Sequence, residues 1–102
     1  MARYKVIVAD RSKVMLGAHI KFLAKVSPSA ARDTKSKILA AIRSLCEMPE
    51  RFPFFDEDYI PRGKYRKMFV ENWCLVLYQI KGQEVYVDYI VDCRQDFGWL
   101  IR

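Results

Sequence analysis

The sequence is poor in the residues on which metal, redox and nucleotide chemistry is usually built. It has one histidine, His19, and three cysteines, Cys46, Cys74 and Cys93. An odd cysteine count with no CxxC pair fits neither a disulfide framework nor a zinc site, so reduced thiols are expected. Glycine and proline number only 4 each, which excludes collagen-like and linker-like chains. No glycine-rich loop is present to cradle a phosphate, so no nucleotide or other cofactor is expected. No apolar run approaches the ~20 residues that span a bilayer. The opening segment MARYKVIVADRSK is broken by Asp10 and Arg11, short of the apolar core of a signal peptide. The expectation is a cytoplasmic protein with no metal and no membrane partner.

What remains is an ordinary globular composition with a basic bias. At 102 residues, the chain has room for one domain, 1–102. Hydrophobic residues make up 52% and charged residues 29%, enough of the former to build a core. The formal net charge is +6, from 18 Lys+Arg against 12 Asp+Glu. A small basic domain attracts polyanions or acidic protein segments, and charge alone does not choose between them.

The apolar pattern predicts six elements. Tyr4–Ala9 is β-branched and reads as a strand, with Asp10 placed to cap a helix from Arg11 to about Val26. That helix is expected to bury Met15, Ala18, Phe22 and Val26, widened by Leu16, Ile20 and Leu23. Ser27 is a good N-cap and Pro28 a good first residue for a second helix, whose Ile38, Ala41, Ile42, Leu45 and Cys46 share one side before Pro49 stops it. Two helices joined so tightly form an antiparallel hairpin. The connector Glu50–Gly63 is rich in aromatics, which predicts a loop pinned onto the core. Lys64–Val70, Trp73–Ile80 and Glu84–Val91 then read as a meander, turning at Glu71-Asn72 and at Lys81-Gly82-Gln83. The middle strand is apolar on both sides, as a central, doubly covered strand is. On the last strand, simple alternation puts Val85, Val87, Tyr89 and Val91 on one side and Tyr86, Asp88 and Ile90 on the other. The expected fold is α+β, in the order β-α-α-β-β-β, with a helical hairpin packed on one face of a small, mostly antiparallel four-stranded sheet. The opposite face is expected to be open to solvent, a ligand or a partner.

Few residues stand out chemically. Arg62, Lys64, Arg66 and Lys67 cluster at the start of the second strand, where alternation puts Lys64 and Arg66 on one side. Such groups can bracket a phosphate or grip an acidic peptide; an edge strand that uses charge to resist aggregation reads the same way. Arg94 lies just past the last strand, between Asp92 and Asp96. It either pairs with Asp96 or projects from the sheet end. His19 has no nucleophile motif beside it and reads as a packing residue. Asp56-Glu57-Asp58 lacks the spacing of a calcium loop and reads as a solvated run.

The basic start of the second strand, the central LVLYQI segment and the ending YIVDCRQDFGWLI, in this order of elements, together resemble the RelE/ParE superfamily of toxins from type II toxin–antitoxin modules, also known as plasmid stabilisation proteins. The resemblance covers nearly the whole chain. It implies a growth-inhibiting protein, silenced by a cognate antitoxin. RelE-like members are metal-independent endoribonucleases that cut mRNA on the ribosome; ParE-like members poison DNA gyrase and are not nucleases. On this resemblance the candidate contacts to the target are Arg62, Lys64, Arg66, Lys67 and Arg94, and the catalytic candidates of a nuclease would be Lys64, Arg66 and Arg94. The arginine usual before the central segment is absent from Trp73-Cys74-Leu75. The C-terminal tyrosine of the nucleases is also missing; Trp99 and Leu100 stand there, and an indole is no general base. The arginine-then-aspartate ending looks more like ParE-like members. The resemblance thus leans to a gyrase poison, with a ribosome-dependent nuclease or a decayed, antitoxin-binding member as alternatives.

Overall fold

The computed structural model describes residues 3–57, 60–71 and 73–92. Strand β1 (Lys5–Val8) leads into helix α1 (Asp10–Val26) and helix α2 (Pro28–Arg43), followed by 3-10 turns at Ser44–Cys46 and Pro49–Arg51. Strands β2 (Arg66–Val70), β3 (Cys74–Lys81) and β4 (Glu84–Asp92) complete the described chain. The fold is α+β in the expected order. The sheet runs β1-β4-β3-β2, with β1 parallel to β4 and both other pairs antiparallel.

Local chemistry explains most boundaries. The Ser27 hydroxyl accepts from the Ala30 amide at 3.2 Å, and Pro28 occupies the first turn where its missing N–H costs nothing. Asp10 does not cap α1: it is the first residue of the helix, after Ala9, and favours that end through its charge alone. Lys81 pairs with Glu84, so Gly82 and Gln83 form a two-residue turn, and Gly82 supplies its positive φ of 62°. Glu71 closes β2 at φ 57°; its partner in the expected turn, Asn72, lies outside the described residues.

The helical hairpin covers one side of the sheet. Leu16 of α1 and Ile38, Ile42 and Leu45 of the α2 segment pack on Met68, Val70, Cys74, Val76, Tyr78, Val85, Val87 and Ile90. The other side is not open, contrary to expectation. Leu75, Leu77, Tyr89 and Val91 are buried there beneath Phe55, Ile60 and Tyr65, with Met15 of α1 packed alongside. The connector's aromatics were expected on the core, and they reach it from the side opposite the helices.

Two further expectations fail for identifiable reasons. Tyr89 and Val91 do not share a side with Val85 and Val87. Tyr78 pairs with Val87 while Leu77 pairs with Tyr89, so Asp88 is an extra residue, and this bulge reverses the alternation beyond it. On α1, the buried stripe is Ser12 and Leu16, with His19, Ile20 and Leu23 half-buried; Ala18, Phe22 and Val26 are exposed. The reason lies at the sheet edge. Strand β1 pairs with β4 only as far as Val87, and α1 takes over from there. The Ser12 hydroxyl donates to the Val87 carbonyl at 3.0 Å, and His19 Nε2 donates to the Ile90 carbonyl at 3.2 Å. Polar side chains of α1 thus bond the β4 edge where β1 ends, the Val87 carbonyl also accepting from the Ala9 amide, and this fixes the rotation of the helix.

Candidate functional site

The basic cluster divides into groups with different roles. Arg62 is exposed in the turn before Gly63, whose φ is 72°. Lys64 is exposed in the bend that follows, its ammonium 5.4 Å from the centre of the Tyr65 ring. Strand β2 begins only at Arg66, so the alternation expected to place Lys64 beside Arg66 does not extend to Lys64. Lys67 is half-buried, its ammonium 5.9 Å from the centre of the Phe55 ring on the far side of the sheet. Arg94 lies outside the described residues.

Arg66 holds the connector. Its Nη1 donates to the Phe52 carbonyl at 2.7 Å and to the Glu50 carbonyl at 3.2 Å, and its guanidinium stacks 4.1 Å from the centre of the Phe54 ring. Tyr78, paired with Arg66 in the β2–β3 register, donates its hydroxyl to the Pro49 carbonyl at 2.6 Å. Beside them the connector adds to the outer edge of β2: the Phe55 amide donates to the Tyr65 carbonyl at 2.7 Å, and the Lys67 amide to the Pro53 carbonyl at 2.9 Å. These bonds bring Phe55 under the sheet. Arg66, expected to meet a target, is engaged with its own chain.

The bulge builds a polar cluster on the far side. The Asp88 carboxylate accepts from Gln79 Nε2 at 2.6 Å and lies 4.0 Å from the Arg11 guanidinium. Arg11 sits over the Tyr89 ring at 4.5 Å, and Tyr89 meets Tyr65 edge-to-face at 5.9 Å. Three cations, Arg11, Lys64 and Lys67, thus lie against aromatic rings of the far-side core, a geometry that holds positive charge over apolar surface. Sequence reasoning missed Arg11. The signal available was its position one residue into the first helix, directly after a short edge strand.

The two buried phenols are not set up as bases. Burial, with the Asp88 charge next in effect, pushes the Tyr65 hydroxyl up to about 12. Burial does the same to Tyr78, also to about 12, against the opposing charge of Arg66. Both phenols stay neutral at physiological pH. The His19 ring is engaged through Nε2 with the β4 edge. Among the described residues, no group of three His, Cys, Asp or Glu could hold a metal ion, and no helix is long and apolar enough to cross a membrane.

No protein-family model and no curated protein matches the sequence. The fold does have a solved counterpart. It is similar to a chain of the structure described as the chromosomal ParDE TA system from P. aeruginosa, with a TM-score of 0.73 at 15% identity, over 88% of this chain and 96% of that one. So low an identity with so complete an overlap means that the two chains share their fold, the one that the β-α-α-β-β-β reading of the sequence anticipated.

Proposed function

We propose that this chain is the toxin of a type II toxin–antitoxin module, of the ParE-like kind that poisons DNA gyrase without cleaving nucleic acid, and that a cognate antitoxin neutralises it in the cytoplasm. The observation that carries this reading is the fold likeness to the ParDE TA system over nearly the full length of both chains. The ParE-like lean draws support from the candidate site. Arg66, the central basic residue of the nuclease alternative, is occupied by two backbone carbonyls and an aromatic ring. The phenols of Tyr65 and Tyr78 are held neutral. On this reading Arg62, Lys64, Lys67 and Arg94, joined by Arg11, contact anionic groups of the target rather than stabilise a cleaving phosphate.

Induction of the chain alone is expected to arrest growth, and co-expression of the product of the adjacent small reading frame to restore it. With purified protein, gyrase supercoiling should fall and cleaved DNA accumulate. Normal growth on induction would refute the toxin reading. Cutting of mRNA on translating ribosomes, with gyrase unaffected, would refute the ParE-like assignment in favour of a RelE-like nuclease.

A further inference from the structure

Between α1 and α2 lies a cleft of about 570 Å³, within the range of about 300–1,000 Å³ that holds small ligands. Leu16 of α1, Ile42 of α2 and Ile90 of β4 form its buried floor, and the half-buried Ile20 and Leu39 stand on opposite walls. Gly17 lies midway along the α1 wall. A Cβ added there would meet no atom within 4 Å, and its φ is not positive. A glycine inside a helix weakens it relative to alanine, and here neither a turn nor a close approach within the chain requires one. What the missing side chain leaves is room in the middle of the cleft.

Three lysines rim this cleft, Lys13 and Lys21 on α1 and Lys35 on α2. All three are exposed, and none forms an ion pair among the described residues. No acid lines the cleft. The one acid of α1, Asp10, lies three residues before Lys13 and offsets that charge. The one acid of α2, Asp33, is two residues from Lys35 and so on another side of the helix. Asp92 lines a separate cleft across α1, with His19 and Trp73. The uncompensated pair is therefore Lys21 and Lys35. Along the two helices they stand about 9 and 12 Å from the Ser27 junction, so they lie nearly level across one end of the cleft. An apolar trough with two cations at one end matches an anion that carries a single apolar tail.

We propose that the α1–α2 cleft binds a small amphipathic anion, a carboxylate on one unbranched alkyl tail. The carboxylate sits between Lys21 and Lys35. The tail runs past Gly17 and Leu39, over the floor of Leu16, Ile42 and Ile90. The cleft shares no residue with the basic cluster at the start of β2, so this ligand site goes beyond the toxin reading and stands or falls apart from it.

The test is calorimetric titration of the full chain with decanoate below its micelle concentration. Decyltrimethylammonium supplies the same tail on a cation, and acetate the head without a tail. Decanoate should bind at a single site and raise Tm. Acetate should not bind, and decyltrimethylammonium should bind at least about tenfold more weakly. Gly17→Trp fills the cleft from a position with free space, so it should weaken decanoate at least about tenfold, at a Tm no lower than that of the unaltered chain. Lys21→Ala with Lys35→Ala, both at exposed positions, should weaken decanoate about tenfold and abolish its advantage over decyltrimethylammonium. This pair decides the matter even if Gly17→Trp lowers Tm. Phe22→Asp, outside the cleft, should leave the affinity within about twofold. No binding of decanoate by the unaltered chain would overturn the proposal. Binding lost in Phe22→Asp but kept in Gly17→Trp would move the amphiphile to the exposed side of α1 and overturn it as well. Equal affinity for the anionic and cationic amphiphiles would overturn the assigned class of ligand. None of these outcomes bears on growth arrest or its relief, which test the toxin reading.

Discussion

The two sides of the sheet are both closed, but by different means. The helix side is sealed by a continuous apolar layer, in which Ile38, Leu45, Val76, Val85 and Val87 are out of contact with water. The far side is sealed by a loop, and that loop is held by bonds that lie elsewhere: two carbonyls on Arg66, one on Tyr78, and two amide–carbonyl links along the β2 edge. A helix brings its own hydrogen bonds and needs only an apolar stripe to dock. An irregular segment must have its backbone satisfied by the structure it covers. Basic residues at a strand start can therefore be structural while looking like a binding site. The far side also admits charge, in the Arg11–Asp88–Gln79 cluster.

The sharpest way to break this comparison is to empty each side in turn. Leu45→Ala should cost about 2–5 kcal/mol through its cavity. Phe55→Ala should cost a comparable ~3–5 kcal/mol in urea unfolding, because its ring closes the far-side core. A nearly neutral Phe55→Ala would mean that the far side is open after all.

Arg66→Ala should destabilise by about 1.5–3 kcal/mol, since it removes charge-assisted bonds to two carbonyls. Lys64→Ala, exposed on a ring, should stay within about 0.5 kcal/mol. Equal, negligible shifts in Tm for the two would return Arg66 to the set of residues reserved for a target. Ser12→Ala should cost about 1 kcal/mol, because the Val87 carbonyl keeps its bond from the Ala9 amide when the buried hydroxyl is lost.

The smallest effect at neutral pH emerges only in alkali. Tyr65 and Tyr78, one on each side, both titrate near 12 in the folded chain, against about 10 when unfolded. Between these values the unfolded chain has released protons that the folded chain retains. Stability is therefore full below about pH 10 and falls as the pH rises towards 12. Tyr65→Phe and Tyr78→Phe should each lessen that alkaline loss, as read by unfolding at a series of pH values. An unchanged alkaline profile in both variants would show that neither phenol is sequestered.

Much of the fold was legible because its signals are local. The Ser27-Pro28 junction, the Gly82 turn and the doubly apolar run from Cys74 to Tyr78 announce themselves within a few residues. The failures are tertiary. The Asp88 bulge inserts one residue, and nothing beside it marks which of two alternations holds beyond it. Helix α1 carries two overlapping apolar ladders, and only the edge of β4, with its carbonyls waiting for Ser12 and His19, decides which one turns inward. The aromatics of the connector announced that it packs, but not on which side. At the candidate site, the sequence located the basic cluster. It could not show that Arg66 serves the connector, or that Arg11 reaches round the sheet edge to Tyr89.

The closure of the far side by the connector is the central claim, and hydroxyl-radical footprinting of the free chain reads it directly. Phe22, 68% exposed, is the reactive control, and Phe55 is 4% exposed beneath the sheet. Phe22 should be modified readily while Phe55 stays unmodified. Modification of Phe55 at a rate like that of Phe22 would contradict the account.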